Sequence, residues 1–361
     1  MVFYIDKQYN FIEYFNEKNG TLIRSNILKD GVETEKVPIM RSFPELIDIG
    51  IMGRCLAGQQ GICRMAGVDC YQCAPKKQRS NMTLEDYKSI IEQCTGRTFQ
   101  VALGGAGDPN KHESFEDILV TTVANRIVPN LTTSGYKMTP TEVSLIKKYC
   151  GAVAVSYYSR LDQNNKETNY VTIKAIESLL SAGCVTNVHY VLSRESIDEA
   201  IKRLEYGLFP NGINSVVFLL YKPVGLARDD KVLSIYDPRY IDFLRIVSNG
   251  HFPFSVGMDS CQAPALTSFS STVAAQAIEF CDAARFSMYI DCQLRAFPCS
   301  FGHDHSQYAV NLKNATLKDA WNSKQFQLFR EKQWRDCKNC TKTTECRGCA
   351  LDLGVALCER C

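Results

Sequence analysis

The sequence has no excess of either charge. Its 361 residues include 41 Lys and Arg against 39 Asp and Glu, a formal net charge of +2. Nucleic-acid binders usually carry a basic excess and acidic solvating chains the reverse, so neither class is indicated. No run of about 18 apolar residues is present, so no membrane-spanning helix is expected. The opening Met1-Val2-Phe3-Tyr4-Ile5-Asp6-Lys7 places charges where a secretory signal would carry its apolar stretch. The expectation is a cytoplasmic protein with neither nucleic acid nor membrane as partner. No Gly-x-Gly-x-x-Gly follows the first strand-like run, which disfavours a dinucleotide-binding sheet.

Cysteine, by contrast, is abundant, with 17 residues. Hydrophobic residues at 45% and charged residues at 22% are ordinary for a globular chain, and the length allows about two domains. Cytoplasmic thiols are kept reduced and the count is odd, so a disulfide framework is not the natural reading. Metal ligation is.

The distribution is uneven. Cys55, Cys63, Cys70 and Cys73 lie close together, and ten cysteines fall in the last third. There, Cys337-Lys-Asn-Cys340 and Cys346-Arg-Gly-Cys349 form two C-x2-C pairs separated by five residues. A zinc ribbon wants about 15–20 residues between its pairs. The shorter gap suits cysteines shared between iron–sulfur clusters. Cys94, Cys150 and Cys184 stand alone in helical or helix-end contexts and read as small buried hydrophobes.

The middle of the chain alternates strand and helix patterns. Strand-like runs at Leu46–Met52, Phe99–Leu103, Ile127–Leu131, Ala152–Ser156, Val185–Leu192 and Val216–Tyr221 enclose helical stretches. Those stretches are Leu84–Cys94, Glu116–Asn125, Pro140–Tyr149, Tyr170–Ala182 and Ile197–Tyr206. Pro140 belongs at a helix start and Gly183 just past a helix end. Six strand–helix units predict an α/β fold with a parallel sheet, better closed toward a barrel than doubly wound. The loops after the strands would then converge on one face and build the site.

Cysteines after the first strand, a Gly-Gly segment after the second and a cysteine-rich C-terminus resemble the radical S-adenosylmethionine (radical SAM) enzymes that carry a SPASM-type domain. The resemblance spans about residues 46–361. It implies a partial (β/α)6 TIM-like barrel at 46–258, a small SPASM-type domain at 259–361 and a short N-terminal cap at 1–45. It also implies three [4Fe–4S] clusters, one for radical chemistry and two auxiliary, with S-adenosylmethionine as cosubstrate. The cofactor supplies the hard chemistry and the protein supplies ligation, orientation and exclusion of water.

On this resemblance the first cluster takes Cys55, Cys70 and Cys73, although the family's C-x3-C-x2-C spacing is not kept and Cys63 is an alternative to Cys55. Residues 56–69 then read as an insertion in the cluster loop. Tyr71 is the candidate adenine contact, displaced by one position from the family's aromatic. Gly105-Ala106-Gly107-Asp108 resembles the family's Gly-Gly-Glu motif, with Asp108 as the acid for the methionine ammonium. Ser134 and Ser156 resemble ribose or carboxylate contacts. The interleaved SPASM pattern gives Cys281, Cys299 and Cys349 to one auxiliary cluster, with Cys261 as its fourth ligand. Cys337, Cys340 and Cys346 go to the other, completed by Cys358 or Cys361. These ligands use 11 of the 17 cysteines.

Cys292, His189 and His112 are the catalytic candidates, because each would lie near the converging loops. His303-Asp304-His305 reads as solvated surface. The resemblance implies peptide modification: a crosslink, an oxidation or an excision on a ribosomally made peptide. Positions 1–45 are too few for a leader-binding domain, so a separate leader-peptide-binding protein, or a short substrate, is expected. An electron donor such as flavodoxin or ferredoxin is expected as well. The rival readings are a SPASM chemistry on a folded protein, as in sulfatase maturation, or on a small molecule, and a zinc-stapled binding protein without radical chemistry.

Overall fold

The computed structural model describes residues 1–27, 39–269, 278–335, 346, 348–351 and 353. Its centre is a parallel sheet built in chain order from β4 (Leu46–Met52), β5 (Gln100–Gly105), β6 (Val128–Thr133), β7 (Val153–Ser156), β8 (Thr186–Leu192), β9 (Ser215–Leu220) and β10 (Ser255–Met258). Before it lies a three-stranded antiparallel sheet of β1 (Val2–Asp6), β2 (Phe11–Phe15) and β3 (Leu22–Asn26). The six expected strands are present within a residue or two of their expected limits. β10 adds a further parallel strand that no sequence run announced, since Ser255-Val-Gly-Met258 is short and mixed.

The connections explain the order. In β8 every second residue from Thr186 to Leu192 is buried and those between are half-buried. That is the two-faced pattern of a strand covered outside by helices and lining an interior on its other face. The covering helices are α3 (Leu84–Cys94), α4 (Phe115–Ala124), α5 (Pro140–Tyr149), α6 (Tyr170–Ser181), α7 (Ile197–Glu205) and α8 (Pro238–Asn249). Before them α1 (Leu56–Gln59) and α2 (Ile62–Met65) shape the cluster loop into two single turns, where an insertion was expected. Local capping sets several starts. The Thr83 hydroxyl accepts the Asp86 N–H at 3.1 Å, and Thr139 with Glu142 closes a capping box ahead of Pro140. Ile47, Ile49, Val101, Leu103, Val153, Val155, Val188, Val216 and Phe218 build the core between sheet and helices.

The last third joins the same sheet. β11 (Ser287–Ile290) runs parallel to β4 on the edge opposite β5, with Asp48 level with Tyr289. β12 (Arg295–Phe297) and β13 (Val310–Asn311) extend it antiparallel. α9 (Ala263–Phe269), α10 (Leu317–Trp321) and α11 (Lys324–Arg335) complete the helices among the described residues. The N-terminal sheet is anchored by a buried ion pair: Arg41 Nε lies 2.7 Å from Glu13 Oε2, with both side chains fully buried. Among the described residues no helix is long and apolar enough to cross a membrane.

Candidate active site

The loop leaving β4 carries the first cysteines. Cys55 caps α1, its sulfur accepting the Gly58 N–H at 3.0 Å. Burial pushes the Cys55 thiol up to about 12, and the neighbouring Asp108, Cys70 and Cys63 add to the shift. Burial raises Cys63 too, with Cys70 next, and raises Cys70, with Cys73 contributing. Cys55, Cys63 and Cys70 therefore surround one small volume, and the structure keeps both alternatives for the first ligand within reach of Cys70. Cys73 is buried, with a left-handed φ of 56°. The loop is held from outside: Leu226 donates to the Cys70 carbonyl at 3.0 Å, and Lys231 reaches Asp69 at 3.1 Å and the Gly67 carbonyl at 2.9 Å.

The loop leaving β5 lies against it. Gly105 takes a φ of 112°, and the Ala106 N–H donates to the Met52 carbonyl at 2.8 Å. A Cβ on Gly107 would come within 2.2 Å of the Arg54 carbonyl and 3.0 Å of Cys55 Cα. The glycine thus lets the two loops touch. Asp108 is 9% exposed. Its carboxylate accepts both the backbone N–H and the hydroxyl of Ser134, each at 2.6 Å. Burial outweighs those bonds and raises its pKa. The sequence treated Asp108 and Ser134 as separate contacts, and the fold makes them one unit. Ser156 ends β7, where the Tyr158 N–H donates to its carbonyl at 2.9 Å.

The second thiol set comes from the last third. Burial raises Cys261 to about 12, with Lys222 opposing and Asp259, Cys349 and Asp282 adding. Burial also raises Cys281, whose next influences are Cys261, Asp282 and Cys299. Cys299 responds to burial, then to Cys261 and Cys349. Cys261, Cys281 and Cys299 thus lie near one another, and Cys349 lies near Cys261 and Cys299. Among the described residues no three His, Cys, Asp or Glu side chains are drawn tightly enough around one point to hold a single ion. Thiols forced to stay protonated by burial lose that penalty when a cationic centre takes them as thiolates, and a sulfur-only donor set suits iron–sulfur chemistry. Cys346 is half-buried, while Cys337, Cys340, Cys358 and Cys361 lie outside the described residues.

Comparison with known proteins places an iron–sulfur domain over the last third of the chain. Residues 281–350 match the SPASM model, described as an iron-sulfur cluster-binding domain. The mycofactocin maturase MftC of Mycolicibacterium smegmatis is 23% identical over 311 residues, spanning 79% of this chain and 74% of that protein. The chain carries a C-terminal SPASM domain. Its fold is that of Streptococcus suis SuiB bound to S-adenosylmethionine, with 18% identity, 86% of this chain and 73% of that chain covered, and a TM-score of 0.67. It is also that of anSMEcpe with bound AdoMet, at 16% identity, 88% and 90% coverage and a TM-score of 0.57.

The barrel also holds an acid that the sequence did not single out. Asp48, in the apolar strand β4, makes no hydrogen bond among the described residues, and burial lifts it to about 7 with Asp282 adding. Asp282 is itself raised to about 6, by burial first and then Glu279. The available signal was an acid in the middle of Leu46-Ile-Asp48-Ile-Gly-Ile-Met52. His189 faces the same interior: burial lowers it to about 4, against the pull of Asp259, so the ring is neutral at pH 7.

Several candidates are corrected. Tyr71 packs on Phe301, with ring centroids 4.9 Å apart. Its neighbours include both Cys70 and Cys299, so it stands between the two thiol sets. His112 is committed to the backbone, Nε2 donating to the Met82 carbonyl at 2.9 Å and Nδ1 accepting from Ser114 at 3.0 Å. It clamps two loops and has no nitrogen left for a substrate. Cys292 sits half-buried in the β11–β12 turn beside Asp291 and Arg79. The side chain of His303 is not solvated, at 7% exposure against 52% for Asp304. Cys94 is buried and donates to the Ile90 carbonyl, as a small core residue should.

Proposed function

We propose that this enzyme modifies a ribosomally made peptide, with the reacting segment held inside the barrel between its two thiol sets. The observation that carries this reading is the pair of buried thiol sets at the loops of the sheet: Cys55, Cys63 and Cys70 beside the Asp108–Ser134 unit, and Cys261, Cys281, Cys299 and Cys349, with Tyr71 near a member of each. The relatives point the same way: MftC is named a maturase, SuiB has been solved bound to precursor peptide SuiA, and anSMEcpe with bound AdoMet and a Cp18Cys peptide.

In this proposal Cys70 and Cys73, with Cys55 or Cys63, hold the radical-generating cluster. Cys261, Cys281, Cys299 and Cys349 hold one auxiliary cluster. Cys337, Cys340 and Cys346, with Cys358 or Cys361, hold a second. Loaded with a cluster, these cysteines would support one-electron cleavage of S-adenosylmethionine, the electron coming from a reduced flavodoxin or ferredoxin, and hydrogen-atom abstraction from the substrate. Asp108 orients Ser134 and offers its remaining lone pairs to the methionine ammonium. Gly105 and Gly107 let backbone approach the cosubstrate closely, and the surrounding loops exclude water. Asp48, unpaired and poised near neutrality, is the candidate acceptor for a proton leaving the substrate. The cap, barrel and SPASM regions divide near residues 45 and 258. A separate leader-binding protein, a flavodoxin or ferredoxin as electron donor, and a reducing cytoplasm complete the proposal.

The test is two-fold. Anaerobically reconstituted protein should bind iron and sulfide and release 5′-deoxyadenosine under dithionite. Co-expression with each short reading frame flanking the gene should then change the mass of one encoded peptide. Zinc without iron, or no deoxyadenosine from fully loaded protein, would overturn the reading.

A further inference from the structure

Lys222 follows β9 and is 4% exposed. Lysine is seldom buried unless paired. Its Nζ donates to Asp259 Oδ2 at 2.6 Å and to the Leu220 carbonyl at 3.0 Å, and lies 4.6 Å from the Phe301 ring centroid. With those partners the ammonium is tied to the protein and is not aimed at a substrate anion. What remains is its field. Lys222 is the leading charge acting on Cys261, ahead of Asp259, and it is the cation that acts on Cys299. Beyond Phe301 stands Tyr71, beside Cys70. The lysine therefore occupies the wall between the two thiol sets.

We infer that Lys222 is a redox-tuning residue: its buried ammonium raises the reduction potential of the cluster held by Cys261, Cys281, Cys299 and Cys349. Adding one electron to that cluster adds one negative charge among four thiolates. A fixed cation in a poorly screened site stabilises the reduced form, and iron–sulfur potentials respond to such local charge. Asp259 partly offsets the effect, so the pair sets the potential by its orientation, positive end toward the cluster. The inference rests on the assignment of those four cysteines as a cluster site.

The test is an anaerobic potentiometric titration of the full-length reconstituted enzyme, followed by electron paramagnetic resonance, with iron measured in parallel. Lys222→Met should cut the reduced-to-oxidised ratio of one auxiliary cluster at least tenfold at fixed potential, a shift of about 59 mV for a one-electron couple. Lys222→Arg should keep the wild-type midpoint. Asp259→Asn, which can still accept the lysine hydrogen bond, should shift the midpoint upward. An unchanged midpoint in Lys222→Met at full iron content overturns the inference. Should that variant lose iron, Asp259→Asn decides, and an unchanged midpoint at full iron overturns it equally. Wild-type protein without auxiliary iron would instead overturn the cluster assignment beneath it.

Discussion

Asp48 carries a prediction that needs no substrate. Its native pKa, about 7, lies well above the ordinary carboxylate value of 3.8. The folded chain thus holds this proton more tightly than the unfolded chain does. That contribution is complete below about pH 4 and is lost as pH rises through about 7. Asp48→Asn cannot ionise, so it should be more stable than wild type at pH 8, by up to about 4 kcal/mol, with the gap closing toward pH 4. Thermal unfolding of the anaerobic holoprotein across that range measures it. Equal pH dependence in both proteins would show that Asp48 ionises freely. The Asp108–Ser134 unit gives a second prediction. Asp108→Ala leaves the Ser134 N–H and hydroxyl without an acceptor, at about 1–3 kcal/mol per buried group. It should lower deoxyadenosine release at least tenfold at unchanged iron content, and Ser134→Ala should lower it less.

At the scale of elements, the two loops behind β4 and β5 make opposite demands on neighbouring glycines. A Cβ on Gly104 would meet nothing within 4 Å, while one on Gly107 would meet Arg54 backbone at 2.2 Å. Gly104→Ala should therefore bind iron as wild type does, and Gly107→Ala should push the Cys55 loop outward and lose the iron of the first cluster. Iron and sulfide analysis of the two variants decides it. Most of this layer was legible beforehand. The helices Leu84–Cys94 and Pro140–Tyr149 stand at their expected limits, because caps and periodicity there agree. The nearness of Cys261 to Cys281 and Cys299 matches the grouping that the resemblance implied. What spacing could not carry was side-chain direction. Tyr71 and His112 lie in the expected loops, yet Phe301 and the Met82 carbonyl, both distant in sequence, take up their rings. Lys222 escaped for the same reason, since nothing local in a sequence says that a charge will be buried beside cysteines far along the chain, and so did Asp48, whose neighbour Asp282 is equally distant.

At the scale of the whole molecule, the N-terminal sheet is fastened by charge as well as by packing. Glu13 and Arg41 are wholly enclosed, and the Arg41 guanidinium also lies 3.8 Å from the Tyr4 ring centroid. Glu45 nearby is raised to about 8 by burial, against the pull of Arg24. Removing one partner of such a pair strands the other, at about 3–5 kcal/mol. Arg41→Met should cost that much in denaturant unfolding, while the double change Arg41→Met with Glu13→Leu should recover most of it. A double variant no better than the single would show that the pair is not the fastening.

β4 is bonded on both long sides, to β5 with its glycine loop and to β11 of the SPASM region. The backbone amides of Ile47 to Gly50 should accordingly be among the slowest in the protein to exchange with deuterium, opening only when the molecule unfolds as a whole. With one strand bearing both the Cys55 loop and the β11 edge of the last third, any change in the spacing of the two thiol sets would require β4 to part from one of its neighbours.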